Sequence, residues 1–392
     1  MRRSADRILT THVGSLPRPD DLLPLLQAKD SGRPYDEALL SRRVAESVRE
    51  VVARQAETGL DVVNDGEHGK SVYSGYLYPR LSGFTPDPSR SRERPPTRDA
   101  LAFGPVYEDR RAMNRARPRK TSGGEARVQL VCTGPVKYVG HKHVLADIEN
   151  LKSALRSAGV EEGFMTAVAP THPANSNPNE FYRTHEEYQM ALADALHEEY
   201  KAIVDSGLVL QVDDPLIANH WDHHPELSLE ECRSFIAGQV KIINHAIRGL
   251  PSERIRFHTC YGTNIAPRVH DLELKDFVDL MLRINAGAYS FEAANPRHEH
   301  EWQVWEGVNL PEDKLLMPGV ISHCVEQVEH PELVAQRIQR FASVVGRERV
   351  LASNDCGFGT SSAGDQLHEL TAWAKLQSLA EGARLASQRL WR

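Results

Sequence analysis

A TIM-type (β/α)₈ barrel is the fold class that the sequence predicts, and three observations lead to it. Short apolar runs alternate with amphipathic helical stretches along almost all of the 392 residues, the pattern of a parallel sheet joined by helices. About eight such units fit into the chain, the number a closed barrel needs. Polar residues gather at the ends of the runs, where a barrel collects its βα loops and its active site. An open doubly wound sheet would favour a glycine-rich phosphate turn after its first strand. Neither G-x-G-x-x-G nor a P-loop sequence occurs.

In chain order, the expected strands are THVGS (11–15), LDVVNDGE (60–67), VQLVCTGP (128–135), GFMTAVAP (163–170), LVLQVDD (208–214), IRFHTCY (255–261), AYSFEA (288–293), KLLMPGVI (314–321) and RVLASNDCG (349–357). Each is an apolar run of strand length that turns polar or glycine-rich as the chain leaves the sheet. Helices are expected between them at roughly 36–58, 143–158, 179–206, 228–249, 270–285, 331–346 and 364–388. Nine strands are one more than eight staves require, and the first is the candidate for a cap or extra strand. Residues 85–127 break the rhythm, being rich in Pro and Arg with little periodicity. They read as an insertion after the second strand, on the active-site face: a lid, an oligomer arm or a solvated excursion. No repeat and no clear linker divides the chain, so one catalytic domain over 1–392 is expected.

Composition narrows the function classes. Hydrophobic residues make up 40% and charged residues 26%, ordinary for a globular protein with a real core. A net charge of −7 gives no reason to expect nucleic acid or an anionic membrane as partner. No apolar run approaches the ~20 residues of a transmembrane helix, and the N-terminus MRRSADRILTTHVGS has no signal-peptide pattern. Five cysteines (132, 232, 260, 324 and 356) are too few for a disulfide scaffold and odd in number. The expected home is therefore the reducing cytoplasm.

Four of the strand-end residues have metal-binding chemistry. His258 and Cys260 alternate around Thr259, so both point to one face and can share one ion. Glu292 lies inside the apolar run AYSFEAAN, where a carboxylate is costly to bury unless paired or bound to metal. Cys356 closes a run and is followed by glycine, which lets the backbone approach a ligand. Two thiols, an imidazole and a carboxylate suit Zn²⁺, which takes S, N and O ligands tetrahedrally. Cys132, Cys232 and Cys324 lack such company and read as core or helix residues, with Cys324 a distant alternative ligand near the mouth.

A second group is acidic. Glu67 in NDGEHG and Asp213 in QVDDP end strands and suit a substrate ammonium group; pairing with a local Arg or Lys would satisfy them as well. The backbone of His12, Val13, Gly14 and Ser15 is a candidate cradle for a carboxylate. Nine histidines (12, 68, 172, 220, 223, 224, 298, 300 and 323) fall in loops on the same face. Most read as surface residues, and His323 is the best placed to deliver a proton.

At these residues the chain resembles the catalytic C-terminal barrel of cobalamin-independent methionine synthase, within the superfamily that includes uroporphyrinogen decarboxylase. The likeness runs from TTHVGSLPRP (10–19) through NDGE, QVDDP, HTCYG, FEAAN and PGVI to NDCGFGT (354–360), nearly the whole chain in order. It implies zinc on His258, Cys260, Glu292 and Cys356, and an amino-acid thiol held by the turn at His12 to Ser15 with Glu67 and Asp213. It further implies that zinc binds the homocysteine sulfur, displacing a weak ligand, and that the thiolate takes a methyl group by in-line displacement. Three departures concern the donor side. There is no room for the family's second, N-terminal barrel. The aromatic, folate-facing segment is replaced by THPANSNPNEF. The family's proton-donating histidine follows a G-V-x-D strand, whereas here the run is GVISHC, with Ser322 where an acid is expected.

The leading expectation is thus a zinc-dependent methyltransferase that makes methionine from homocysteine, with methyltetrahydrofolate or a methylated corrinoid protein as donor. A related reading changes the electrophile to an epoxide and the thiol to coenzyme M, a sulfonate that would gain nothing from Glu67 and Asp213. A metal-free porphyrinogen decarboxylase is disfavoured by the ligand set. A zinc-stabilised binding barrel remains the non-enzymatic alternative, and a homo-oligomer is compatible with all of these.

Overall fold

The computed structural model describes residues 1–30, 32–90, 95–116, 128–263, 267–359 and 367–392. Ten strands are present among them: β1 (Leu9–Thr10), β2 (Val62–Val63), β3 (Phe84–Asp87), β4 (Gln129–Cys132), β5 (Glu162–Val168), β6 (Val209–Asp213), β7 (Ile255–His258), β8 (Ala288–Phe291), β9 (Leu315–Ile321) and β10 (Leu351–Asn354). Eight of them form one parallel sheet in the order β1-β10-β9-β8-β7-β6-β5-β2. The gap between β1 and β2 is bridged by the Asp61 N–H donating to the Thr10 carbonyl at 3.0 Å and the Thr11 hydroxyl donating to the Val62 carbonyl at 3.0 Å. The (β/α)₈ barrel is therefore nearly closed.

Two strand expectations need correction. The chain entering THVGS supplies a true stave, β1, and the run itself continues from that stave to the mouth. The surplus strand is VQLVCTGP: β4 pairs antiparallel with β3, from Phe84 opposite Cys132 to Asp87 opposite Gln129, as a two-stranded ribbon separate from the barrel sheet. A short apolar run serves such a ribbon as well as a stave, and periodicity cannot separate the two. Pro86 in β3 fits a two-stranded ribbon, where each strand is an edge. The excursion between β2 and β5 is consequently longer than residues 85–127 and includes the helices Gly104–Ala116 and His141–Ala158. Residues 91–94 and 117–127 of the expected insertion lie outside the described residues.

Helices Glu37–Thr58, His141–Ala158, His185–Asp205, Leu229–Ala246, Pro331–Val345 and Glu369–Leu390 stand close to their expected places. Ser228 and Glu231 form a reciprocal cap at the start of the fourth. The expected helix at 270–285 is instead a 3₁₀ turn (Leu274–Asp276) followed by one helical turn (Val278–Met281). Its Leu274, Phe277, Val278, Met281 and Ile284 are buried while Lys275, Asp279 and Arg283 are exposed, so the segment keeps the one-sided burial that the spacing predicts although only a short part of it is α-helical. Among the described residues no helix is long and apolar enough to cross a membrane.

The barrel interior prepares the site by simple alternation. At its base Leu9, Ala288, Leu315, Met317 and Leu351 cluster, as do Val62, Phe164 and Val209. Above them Arg256 of β7 is fully buried and reaches across to the chain beyond β1. It donates to the Thr11 hydroxyl at 3.0 Å and the His12 carbonyl at 2.6 Å, with its guanidinium 3.9 Å over the Phe164 ring. Two residues after Gln211, Arg256 and Ser290 on the same face come Asp213, His258 and Glu292. The β9–β10 ladder slips between Ser353, opposite Gly319, and Asn354, opposite Ile321, a bulge directly before Asp355 and Cys356.

Candidate metal centre at the barrel mouth

His258, Cys260 and Cys356 come together at the C-terminal ends of β7 and β10. One donor atom from each lies within 4.8 Å of the others, and all three residues are buried. The Cys356 thiol donates to the Cys260 sulfur at 3.4 Å. Two thiolates on a tetrahedral zinc stand about 3.8 Å apart, given Zn–S bonds of about 2.3 Å, so a few tenths of an ångström convert this pair into ligands. The His258 Nδ1 meets the Ser290 hydroxyl at 3.1 Å, whereas its buried Nε2 has no hydrogen-bond partner. Burial, reinforced by Arg256 and His323, lowers the His258 pKa to about 3, so the ring is neutral and able to ligate. The Cys260 sulfur first, and then burial, push the Cys356 thiol well above its usual range. A neutral imidazole with one unpartnered nitrogen, clustered with two adjacent sulfurs, fits a borderline-soft cation such as zinc.

Glu292 stands beside this cup and not within its mutual cluster. Its Oε1 accepts the Tyr261 N–H at 2.8 Å, and its Oε2 accepts from Asn295 and, at 3.4 Å, from both terminal nitrogens of Arg268. Donor atoms of Glu292, His323 and Asp355 form a second buried group within 4.8 Å. Asp355 Oδ1 accepts the Ala293 and Ala294 N–H groups at 2.8 Å each, while its Oδ2 and the His323 Nδ1 have no partner. The acid absent at Ser322 is thus supplied beside His323 by Asp355, from the next stave. The other ring nitrogen of His323 meets the Cys324 sulfur at 3.0 Å and the Gly262 carbonyl at 3.2 Å.

Beside the cup, where Asp213 of β6 pairs in register with His258 of β7, Glu67 and Asp213 are both buried. The Thr166 hydroxyl donates to Glu67 Oε1 at 2.7 Å, and Glu67 Oε2 is unpartnered. Glu67 is also the only described non-glycine residue with positive φ, at 59°, a strained conformation that functional sites tend to keep. Burial, and then the charge of Glu67, push the Asp213 carboxyl well above the usual carboxylate range. Gln211 ties the turn at 12–15 to this pair, its amide donating to the Val13 carbonyl at 2.5 Å and to Asp213 at 2.7 Å. Gly14 has φ +143°, and a Cβ there would meet Thr166 Cγ2 at 2.6 Å and Glu67 Oε1 at 3.3 Å. Gly14→Ala is expected to destabilise the fold by roughly 1–3 kcal/mol, read as a lower urea midpoint; an unchanged midpoint would contradict this packing. Ser15 lies against the glycine after Cys356, where a Cβ on Gly357 would collide with its hydroxyl. His12 offers the mouth only its backbone, since its ring lies between Gln55 and Phe164.

Several contributors were not evident in the sequence. Tyr73, 3.1 Å from His172 Nδ1, has its pKa raised first by burial and then by the charges of Cys260, Asp214, Asp213 and Cys356. Ser290 was accessible from period-two reasoning, two residues before Glu292. Arg268, Asn295 and Tyr73 come from loops and carry no periodic signal. The histidines are less exposed than expected: His12, His68, His220, His298 and His323 are buried. His68 meets the Ser47 hydroxyl at 2.5 Å, and His220 stacks on Phe235.

His298 is a buried imidazole between Glu301 at 2.8 Å and Asp271 at 2.9 Å, stacked on Tyr261. Burial lowers its pKa, but the two carboxylates outweigh that and hold it at about 9. The folded value lies above the ordinary 6.5, so its stabilisation is full below about pH 6.5 and fades as pH rises through about 9. The melting temperature should fall across that window, and His298→Gln should flatten the fall. An equal slope in the variant would exclude His298 as its source.

Comparison with known proteins bears on the whole arrangement. The family described as "Cobalamin-independent synthase, Catalytic domain" matches residues 157–376, more than half of the chain. Methionine synthases of Saccharolobus islandicus and Thermococcus kodakarensis are each 24% identical, over 386 and 387 residues. These alignments cover 98% of this chain and 96% and 94% of theirs. A B12-independent methionine synthase from Shewanella sp. W3-18-1, in complex with selenomethionine, has the same fold, with TM-score 0.70 at 20% identity over 98% of this chain and 99% of that one. A putative vitamin-B12 independent methionine synthase from Listeria monocytogenes follows, with TM-score 0.64 at 18% identity over 96% and 98%.

Proposed function

The chain belongs to the cobalamin-independent synthase family, and from that membership we propose that it is a zinc-dependent methyltransferase acting on homocysteine to form methionine. One observation carries the reading: a buried cup of His258, Cys260 and Cys356 shares the barrel mouth with the unpaired carboxylate oxygen of Glu67 and with Asp213. A thiol at one end and an ammonium group at the other is the chemistry of a sulfur amino acid. The relatives named methionine synthases support the same substrate.

In this reading His258, Cys260 and Cys356 hold the ion, and Glu292 stands next to them as the exchangeable fourth ligand. Bound zinc would supply the positive charge that lets the substrate sulfur persist as a thiolate near neutral pH. Ser290 holds the His258 ring through Nδ1, which leaves Nε2 for the ion. Glu67 and Asp213 bind the ammonium group, whose charge relieves the repulsion between them. The turn of His12, Gly14 and Ser15 receives the carboxylate. His323, with Asp355 beside it, delivers the proton to the departing methyl donor. The donor itself is methyltetrahydrofolate or a methyl-corrinoid protein, and the enzyme works in the cytoplasm.

A panel assay tests the proposal. Zinc-loaded protein is given homocysteine or coenzyme M, each against methyltetrahydrofolate, methylcobalamin and a simple epoxide. Methionine should form with one of the methyl donors. Alkylation of coenzyme M alone would overturn the substrate reading while keeping the metal centre.

A further inference from the structure

Asp99 is a buried carboxylate in the excursion between β2 and β5, and the proposed reaction uses neither it nor its segment. It is 1% exposed. Its oxygens accept the Val269 N–H at 3.1 and 3.2 Å and the His270 N–H at 3.1 Å, and the His270 Nδ1 lies 2.7 Å from Oδ1. All of these partners belong to two consecutive residues of the loop after β7. A buried carboxylate needs charge-assisted partners, so the helical turn Arg98–Ala102 is committed to that loop. Arg98 fastens the same turn to the helix Leu216–His223 after β6: its Nε donates to the Trp221 carbonyl at 2.8 Å, and its guanidinium covers the Trp221 ring at 3.6 Å. Further along the excursion, the Tyr107 hydroxyl donates to the Pro267 carbonyl at 3.1 Å. The loop held in this way begins at Cys260. Tyr261, the next residue, donates its hydroxyl to the Leu272 carbonyl at 2.7 Å, and its ring stacks on His298. His298 is bonded in turn to Asp271 at 2.9 Å. The two ends of the loop are thereby tied together, and Asp99 fastens the end that Tyr261 grips. Movement at 269–270 therefore reaches the neighbour of Cys260 through direct contacts.

We propose that Asp99 is a positioning residue: through it the inserted segment holds the β7 loop in the shape that presents Cys260 to the metal, so that docking of residues 97–103 and zinc binding favour each other. This part of the insertion is then a strap across the loops after β6 and β7. The inference rests on the metal reading above but not on which thiol or methyl donor is used.

Coupling of this kind is reciprocal, which permits a test on the unaltered chain. In wild-type protein, zinc should slow hydrogen exchange at 97–103 and at 268–272 together, by about tenfold or more. Asp99→Asn should weaken zinc by about tenfold or more in competition with a chromophoric chelator, and should abolish the slowing at 97–103. Glu199→Gln alters an equally buried carboxylate, bonded to Tyr76, Tyr138 and Arg80 away from the β7 loop. It should keep zinc affinity within about threefold of wild type, below the 10- to 100-fold that outer partners of a metal command. An equal loss in both variants would reduce the effect to general destabilisation and overturn the inference. Wild-type zinc affinity in folded Asp99→Asn would overturn it as well. So would exchange at 97–103 that zinc leaves unchanged, a result that decides the question even if Asp99→Asn does not fold. Failure of the wild type to bind zinc, or zinc retained by Cys260→Ser, would instead refute the metal centre itself, which separates the two failures.

Discussion

Cys260→Ser and Cys356→Ser should each lose nearly all bound zinc and all thiol alkylation while the barrel stays folded. Zinc sites of four protein ligands bind with about 10–16 kcal/mol, or about 3 kcal/mol per ligand. Deleting one sulfur from a three-residue cup should therefore weaken zinc by more than about a hundredfold. A serine hydroxyl does not ionise near neutral pH and cannot replace the thiolate. The fold should survive because both sulfurs stand at the mouth, above the apolar clusters of Leu9, Ala288, Leu315, Met317 and Leu351 and of Val62, Phe164 and Val209. Metal content per chain and circular dichroism check the two halves of this expectation. Full zinc in both variants would sink the ligand assignment.

Glu67→Gln and Asp213→Asn should weaken homocysteine binding by about 10- to 100-fold each, the worth of a charge-assisted hydrogen bond, with zinc content unchanged. Their effects should not add, because each carboxylate sits in the field of the other. The same geometry gives a second, opposite effect. Glu67 keeps a buried oxygen unpartnered and raises the pKa of Asp213, so Glu67→Gln should melt no lower than wild type, or slightly higher, when no substrate is present. Isothermal titration with homocysteine and a thermal melt read the two together. Unchanged affinity in both variants would point to a thiol without an ammonium group.

Much of this site was legible in the sequence because barrels and strands obey short periods. Two residues apart means one face, so spacing alone pairs His258 with Cys260, and Glu292 stands out as a carboxylate in an apolar run. Strand ends could be grouped because the barrel gathers them. What was not legible depends on tertiary placement. Nothing local distinguishes VQLVC, a strand of the separate two-stranded ribbon, from the staves that share its composition. The donors that hold Glu292 come from loops, where spacing carries no geometry. The buried ion triad of His298, Asp271 and Glu301 joins two segments whose contact only the fold creates. The segment at 274–281 keeps the burial period of a helix but forms only a 3₁₀ turn and one helical turn, a difference in hydrogen bonding that apolar spacing does not report.

The end of β10 at Asn354 has a consequence for how much a single strand end can deliver. On a continuing ladder, adjacent residues face opposite ways, and only one of any two could serve the mouth. Asp355 and Cys356 lie in the bend beyond the ladder, where Asp355 joins Glu292 and His323 while its neighbour Cys356 joins His258 and Cys260. Two consecutive letters of the sequence thus furnish a donor to each of two separate clusters, a carboxylate to one and a sulfur to the other, held in mutual position by a single peptide bond.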